Sequence, residues 1–459
     1  MARWTLHHGD CLEWLRTLSS ESVDAVVTDP PAGITFMGKA WDHHKGGRAE
    51  WVAWLAEVMR ECLRVLKPGG HALVWSLPRT EHWTACAVED AGFEIRDGIY
   101  HLFAQGWPKS LDVSKAIDAA AGAEREVVGT YSLAASKGRG HSVGGGSGDP
   151  GREYAVTAPA TDDAKRWQGW GTALKPAYER WVLARKPLAG TVAANVVAHG
   201  VGALNVDGCR VEIRARPSIE RRKTAARTGS TRTRGASGIV DRTSAERFME
   251  QRASEALGRW PSNIVLSHAE TCGDECDAAC PVRGLDEQTR DLQNTGVKTP
   301  FWGGGTRNVF VGRTDRGRVI PLEIANRGDS GGASRFFPVF HPFGYFGKAK
   351  SANQRGGREN RHPTVKNVDL MRWLVRLITP RGGVVLDAFG GSGTTGVAAL
   401  LEGCSFVAAE ADSESHAFAC KRLAAAERGE TIVRSETTEP KTDEAQTDEA
   451  QRALDLTGP

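Results

Sequence analysis

The sequence predicts a doubly wound α/β fold with a mostly parallel sheet, interrupted by a large insertion. Three observations predict it. Apolar strands alternate with amphipathic helices near the N-terminus and again after His362, the rhythm of a parallel sheet covered by helices on both faces. Two strands, Val23 to Thr28 and Val384 to Asp387, run straight into acidic residues and sharp turns. Between these ordered ends lies a long stretch rich in Gly, Ser and Arg with few apolar anchors.

Asp10 to Leu18 reads as a short helix with Leu12, Leu15 and Leu18 on one side. After the strand Val23 to Thr28, the segment Trp51 to Leu66 is amphipathic through Val52, Leu55, Val58, Met59, Leu63 and Leu66, and Lys67-Pro68-Gly69-Gly70 stops it. His71 to Trp75 is a buried strand, His82 to Ala91 a helix, and Phe93 to Ile95 opens the next strand. From Ser132 to Gly171 small polar residues predict a long mobile loop, and order returns at Lys175 to Lys186 with the strand-like Trp181 to Ala184. Arg214 to Arg259 carries Arg221, Arg222, Lys223, Arg227, Arg232 and Arg234. It reads either as a solvated insertion or as a phosphate-contacting segment that orders on DNA. Beyond His362 come a helix at Leu370 to Leu377, the strand to Asp387, a helix at Gly393 to Glu402, a strand at Ser405 to Ala409 and a helix at His416 to Ala425. The tail past Gly429 is polar and repeats Thr-Asp-Glu-Ala-Gln, so disorder or a frayed helix is expected there.

At 459 residues the chain can bury a large core and house a catalytic domain with a second module. A net charge of +3 is too mild to mark a nucleic-acid partner, although the middle is basic and the tail acidic. Nine cysteines form no even disulfide set and sit mostly singly in apolar segments, which favours reduced thiols. No apolar run has the length of a signal peptide or a membrane span. A cytoplasmic protein with no membrane partner is the expectation.

Two turns carry the chemistry. Gly391-x-Gly393-x-x-Gly396 follows a strand and opens a helix, the context of a nucleotide-binding loop. There, glycines permit close approach and the helix N-terminus aims N–H groups at polar ligand atoms. The next strand ends at Glu410, where an acid grips ribose hydroxyls. A nicotinamide-dependent dehydrogenase fits these features nearly as well as an S-adenosylmethionine enzyme, and a bare strand-to-helix turn is the plain alternative. Phe389 in place of glycine tilts the balance, as does His362-Pro363-Thr364-Val365-Lys366 upstream. Its hydroxyl and ammonium suit the carboxylate of a methionine moiety, which a nicotinamide dinucleotide lacks.

At the other turn, Asp29-Pro30-Pro31 offers two hydrogen-bond acceptors, the Asp29 carboxylate and the Pro30 carbonyl, on a stiffened backbone. An exocyclic amino group on a base is a poor nucleophile because its lone pair is delocalised into the ring. Accepting its two N–H bonds frees that lone pair for in-line attack. In a chain of this length Asp-Pro-Pro arises by chance with a probability on the order of 0.05, so a mere strand terminator is the weaker reading. Cytosine C5 chemistry needs a Pro-Cys thiolate, and here only the reverse order occurs, at Cys280-Pro281.

These residues resemble the DNA amino-methyltransferases that make N6-methyladenine or N4-methylcytosine. With the Asp-Pro-Pro turn first and the cofactor loop last, the order is that of their β group of bacterial and phage enzymes. The resemblance covers Leu6 to about Phe103 and His362 to about Leu423. It implies the S-adenosylmethionine-dependent methyltransferase fold, with residues 1–104 and 361–428 as its two halves. Residues 105–360 then form an inserted target-recognition region and 429–459 an acidic tail. It implies Asp29, Pro30 and Pro31 as catalytic residues. For the cofactor it implies Asp10 toward the adenine, Thr364 and Lys366 at the methionine moiety, Asp387, Phe389, Gly391, Ser392 and Gly393 in the main loop, and Glu410 at the ribose. Double-stranded DNA is the implied partner and a homodimer a common state. Asp rather than Ser before Pro-Pro leans toward adenine N6, with cytosine N4 as the alternative.

Two departures stand out. Ala32 occupies the place of the aromatic that stacks on a flipped base, which leaves Phe36 and Trp41 as the nearest candidate rings and makes a catalytically decayed DNA-binding adaptor a rival reading. Asn367 stands where proline is common. Leu174-Lys175-Pro176-Ala177, Arg185-Lys186-Pro187 and Asn205-Val206-Asp207 also resemble a phage-type branch. Finally, His268, Cys272, Cys276 and Cys280 recur every four residues and offer four N/S ligands for a structural zinc, although the spacing is not that of paired Cys-x-x-Cys.

Overall fold

The computed structural model describes residues 3–35, 42, 43, 45–103, 110–132, 153–211, 258–269, 272, 276, 277, 280–289, 333–340 and 365–430. The basic run from Arg214 to Arg234 and the acidic tail lie outside them. The N-terminal part alternates β1 (Trp4–His8), α1 (Cys11–Thr17), β2 (Val23–Thr28), α2 (Arg48–Val65), β3 (Leu66–Ser76), α3 (Glu81–Asp90) and β4 (Glu94–Leu102). Then follow α4 (Val113–Ala120), β5 (Val127–Ser132), β6 (Glu153–Thr157), α5 (Asp162–Arg166), β7 (Tyr178–Arg185), α6 (Val192–His199), β8 (Ile264–Ser267), α7 (Pro281–Thr289) and β9 (Val339–Phe340). The C-terminal part adds α8 (Val368–Ile378), β10 (Val384–Asp387), α9 (Thr394–Leu401), β11 (Ser405–Glu410) and α10 (Ser413–Glu427). Local chemistry sets several of these starts. Asp10, Thr161, Thr191, Asn367 and Asp412 each precede a helix and accept a hydrogen bond from an N–H of its first turn, groups that have no partner within the helix.

Nine described strands form one sheet in the order β1-β11-β10-β2-β3-β7-β4-β8-β9. All neighbours are parallel except β7, which runs antiparallel to both β3 and β4. The two ends of the chain are therefore interleaved. β10 and β11 lie between β1 and β2, and Arg3 ties β1 down by donating to the Leu400 and Cys404 carbonyls at 3.0 Å each. Period-two alternation sorts the side chains into two cores. Ala25, Val27, Leu73, Trp181, Leu183, Val385 and Phe406 face α8, α9 and α10. Val26, Ala72, Val74, Val182, Ala184 and Leu386 face α1, α2 and α3. Burial on both faces explains why β2 reads as a continuous apolar run with every residue buried.

The region expected as an insertion contributes to this sheet. β7 sits between β3 and β4, with Trp181 and Val182 fully buried, and β8 and β9 extend the far edge. In place of a loop over 132–171, the described residues 153–171 hold β6, paired antiparallel with β5, and the short helix α5. The organiser there is Asp118 on α4. Fully buried, it accepts hydrogen bonds from Arg125 at 2.5 Å, from the Ala160 and Thr161 N–H groups and from the Thr161 hydroxyl. A buried carboxylate that collects four donors orders the described residues around Thr161, in a stretch that composition marks as a loop.

Gly396 shows how closely α9 lies on the sheet. A Cβ there would come within 2.4 Å of Leu423 Cδ2 and 2.5 Å of the Phe406 ring. Gly396→Ala is therefore expected to lower the unfolding free energy by about 1–3 kcal/mol, as overpacked core sites do, which urea unfolding of the purified protein measures.

Candidate active site

The two motif turns meet because their strands are neighbours. β10 runs parallel to β2 with Val385 opposite Ala25 and Leu386 opposite Val26, so Asp29 and Asp387 emerge side by side at the carboxyl edge of the sheet. Thr28, fully buried, donates its hydroxyl to Asp387 Oδ1 at 2.7 Å, and the Phe389 N–H reaches the same oxygen at 3.0 Å. Burial pushes the Asp387 carboxyl up to about 7, with the nearby Asp29 adding to the rise, although hydroxyls of Thr395 and Thr28 and the Phe389 N–H oppose it.

The cofactor-type loop is braced from two sides. Gly391 adopts φ +52° and Gly393 φ +78°, left-handed conformations that disfavour other residues, and a Cβ on Gly393 would meet Ala419 at 3.0 Å. Glu410, at the end of the adjacent β11, accepts from Gly391 N–H at 2.6 Å and from Asp412 N–H at 2.7 Å. Burial raises its carboxyl, against the pull of those two donors. From below, Arg422 on α10 donates to the Ser392 carbonyl at 2.7 Å and to the Thr394 hydroxyl at 2.9 Å. Burial brings its guanidinium down to about 10, so it stays charged at neutral pH. Arg422 went unremarked in the sequence, yet an arginine among the apolar Ala419, Leu423 and Ala426 of one helix face is a legible anomaly. Asp10 Oδ1 caps α1 by accepting from the Leu12 and Glu13 N–H groups, and Phe389 packs against Trp54 with ring centroids 5.8 Å apart.

The Asp-Pro-Pro turn is held by residues that sequence reasoning passed over. Fully buried Asp42 accepts from Gly33 N–H at 2.8 Å, and Thr80 donates to the Ala32 carbonyl at 2.9 Å. Gly33 sits at φ +71°, where a Cβ would strike the Trp51 indole at 2.6 Å. Lys366 is the larger surprise. Its Nζ lies 2.8 Å from Asp29 Oδ2 and 4.0 Å from the centre of the Trp75 ring. The ammonium expected at a methionine carboxylate thus contacts the candidate catalytic carboxylate. Burial raises the Asp29 carboxyl and Lys366 opposes that rise. Behind them, Trp75 donates to Glu179 Oε2 at 3.0 Å, and His101 Nε2 lies 2.7 Å from Ser267 Oγ. Burial alone would raise the Glu179 carboxyl, but Lys366, His101 and Trp75 hold it below the ordinary range. Phe36, Trp41 and Thr364 lie outside the described residues.

A family model described as DNA methylase, of the N6/N4 type, matches residues 23–117 and 292–421, which include both turns. The chain carries the domain of this DNA methylase family. Among curated relatives, the chain is 34% identical over 77 residues to the type II methyltransferase M.BamHI of Bacillus amyloliquefaciens, covering 16% of this chain and 18% of that one. It is 43% identical over 68 residues to the DNA adenine methyltransferase YhdJ of Escherichia coli K12, covering 14% and 22%. The match thus spans about a fifth of the length of these relatives. Solved structures similar to this chain include the cytosine-N4-specific PvuII DNA methyltransferase, at 13% identity, 99% and 95% coverage and a TM-score of 0.39. Another is the M1.HpyAVI–SAM complex, at 12% identity, 92% and 98% coverage and a TM-score of 0.36. Among the described residues no helix is long and apolar enough to cross a membrane.

Asp387 makes a signed prediction. Its carboxyl titrates near 7 when folded and near the ordinary carboxylate value when unfolded, so between these limits the folded state holds the extra proton. That contribution to stability is complete at acid pH and is lost as pH rises through about 7. Asp387→Asn is expected to flatten the fall in urea midpoint between about pH 5 and about pH 8, read against wild type over the same range.

Proposed function

We propose that the protein transfers a methyl group from S-adenosylmethionine to the exocyclic N6 of adenine in double-stranded DNA, by direct in-line attack on a flipped base. The reading rests on one observation, the emergence of Asp29 and the Asp387–Gly393 loop from adjacent parallel strands joined by Thr28 and Asp387. In open α/β sheets ligands bind at such carboxyl edges.

The residues fit the cofactor. Glu410 uses two backbone donors to shape the loop and retains lone pairs for ribose hydroxyls. Gly391 and Gly393 leave room over the N-terminus of α9, and the Asp10 carboxylate borders the neighbouring turn. Phe389 provides an apolar surface, Ser392 a hydroxyl, and Thr364 with Lys366 the methionine end. S-adenosylmethionine supplies an electrophilic methyl on a sulfonium centre. The protein's part is to seat the amino group so that Asp29 and the Pro30 carbonyl accept its two N–H bonds, with Pro31 stiffening the turn.

Lys366 gains a second role in this reading. It opposes the protonation that burial favours at Asp29, and an anion is the better acceptor for an amino group. Adenine is favoured by the Asp form of the motif and by similarity to a protein named as an adenine methyltransferase. Ala32, which cannot stack on a base, favours a non-catalytic DNA-binding adaptor as the rival reading.

Tritiated-methyl transfer into unmethylated DNA, followed by nucleoside chromatography, tests both. N6-methyladenine is the expected product. N4-methylcytosine would reassign the base, and no incorporation by folded wild-type protein would favour the adaptor. Asp29→Ala is expected to reduce the rate by on the order of 10²–10³-fold while calorimetric binding of S-adenosylhomocysteine persists, since the variant removes an acceptor rather than the cofactor loop.

A further inference from the structure

Outside the catalytic cleft, one cluster has no part in methyl transfer. His268, Cys272, Cys276 and Cys280 come together so that their candidate ligand atoms, one from each residue, all lie within 4.8 Å of one another. Cys272 and Cys276 sulfurs are 3.7 Å apart, and His268 Nδ1 is 3.4 Å from Cys276 Sγ and 3.5 Å from Cys280 Sγ. A tetrahedral zinc with bonds of about 2.3 Å to sulfur and about 2.0–2.1 Å to nitrogen requires S···S edges near 3.8 Å and S···N edges near 3.5 Å. These three of the six edges meet that requirement, and the other three lie within 4.8 Å. A disulfide does not account for the pair Cys272 and Cys276, because bonded sulfurs lie about 2.05 Å apart.

The surroundings suit thiolates. Asp277 N–H points at Cys272 Sγ at 3.3 Å and Ala269 N–H at Cys280 Sγ at 3.4 Å, donors that stabilise negative sulfur. Arg283 is drawn to the same knot, donating to the Cys276 carbonyl at 2.9 Å. Apolar packing alone is thin here. The local core consists of Leu266, Ala269, Cys280 and Val282, with a few partly buried neighbours. Three sulfurs and an imidazole gathered on so small a core call for a cation to hold them together.

We propose that His268, Cys272, Cys276 and Cys280 bind one structural zinc ion that fastens the outer edge of the sheet. The ligand set is thiolate-rich and complete at four, which selects zinc among common divalent ions and leaves no open position for catalysis. His268 follows directly on β8, and Cys280 directly precedes α7. The ion therefore clamps the end of an edge-region strand to the start of a helix. Its mechanical reach extends inward, because Ser267, the last residue of β8, bonds His101 on β4, which lies beside Glu179.

The test is elemental analysis of the full-length protein purified from zinc-supplemented cells, together with visible spectra after exchange with cobalt(II). About one zinc per chain, and the intense visible d–d bands of tetrahedral thiolate-bound cobalt, are the expected results. Cys276→Ser and Cys280→Ser should each lose most of the zinc, whereas Cys86→Ser, on α3 and remote from the cluster, should retain it. Calorimetric binding of S-adenosylhomocysteine reports whether each variant keeps its catalytic half folded. Should the variants fail to fold, the wild-type stoichiometry and cobalt spectrum still decide. Absent or far substoichiometric metal, iron or copper in place of zinc, an octahedral cobalt spectrum, or undiminished zinc in folded Cys280→Ser would each overturn the assignment.

Discussion

The pairing of β2 with β10 is the constraint on which the rest of the site depends. Their first residues lie some 360 positions apart in sequence, yet the hydrogen bond from Thr28 to Asp387 joins them where both strands end. One strand delivers Asp29 and the other the glycine loop, so a single register decides the distance between the two motif turns. A slip of one residue would turn Thr28 away from Asp387 and reverse the inward and outward faces of Val385 and Leu386. Burial of both faces makes such a slip costly, and the pairing is correspondingly well specified.

Around that seam the protein concentrates polar groups that a core would ordinarily exclude. Asp387, Asp29, Lys366, Glu179 and His101 stand close together in largely buried surroundings, in a chain of contacts running through Trp75 toward Ser267. Each carboxylate has an identified source of positive charge or hydrogen bonds. Asp387 has Thr28 and Phe389 N–H, Asp29 has Lys366, and Glu179 has Trp75 and the nearby histidine. A buried network of this kind contributes little net stability but strongly favours one arrangement, because breaking any link leaves a desolvated charge. Such a network fixes the orientation of the groups at the carboxyl edge of the sheet.

The region between the two halves is part of the scaffold. β7 completes the sheet beside β3, while the α4–α5 unit is organised around Asp118 and the β8 edge around the cysteine–histidine knot. Both devices substitute side-chain bonds for a large apolar core, which suits segments rich in glycine and charge. The exposed Trp167 and Trp170, packed edge to face at 5.0 Å, place aromatic surface on this outlying unit.

Much of this was legible in the amino-acid order. Val23–Thr28 and Val384–Asp387 follow from continuous apolar runs closed by turn residues, and α1 and α2 from the spacing of their apolar residues, because these signals are local. Asp29, Glu410 and the glycine loop were recognisable from motif chemistry. Tertiary structure alone decided the contacts between distant residues. Lys366 lies against Asp29, Asp42 and Thr80 hold the Pro-Pro turn, Arg422 supports Ser392, and β7 inserts between β3 and β4. The physical reason is the same in each case. Propensity and capping depend on residues a few positions away, whereas the partner of a buried charge is whichever group the folded sheet brings within reach.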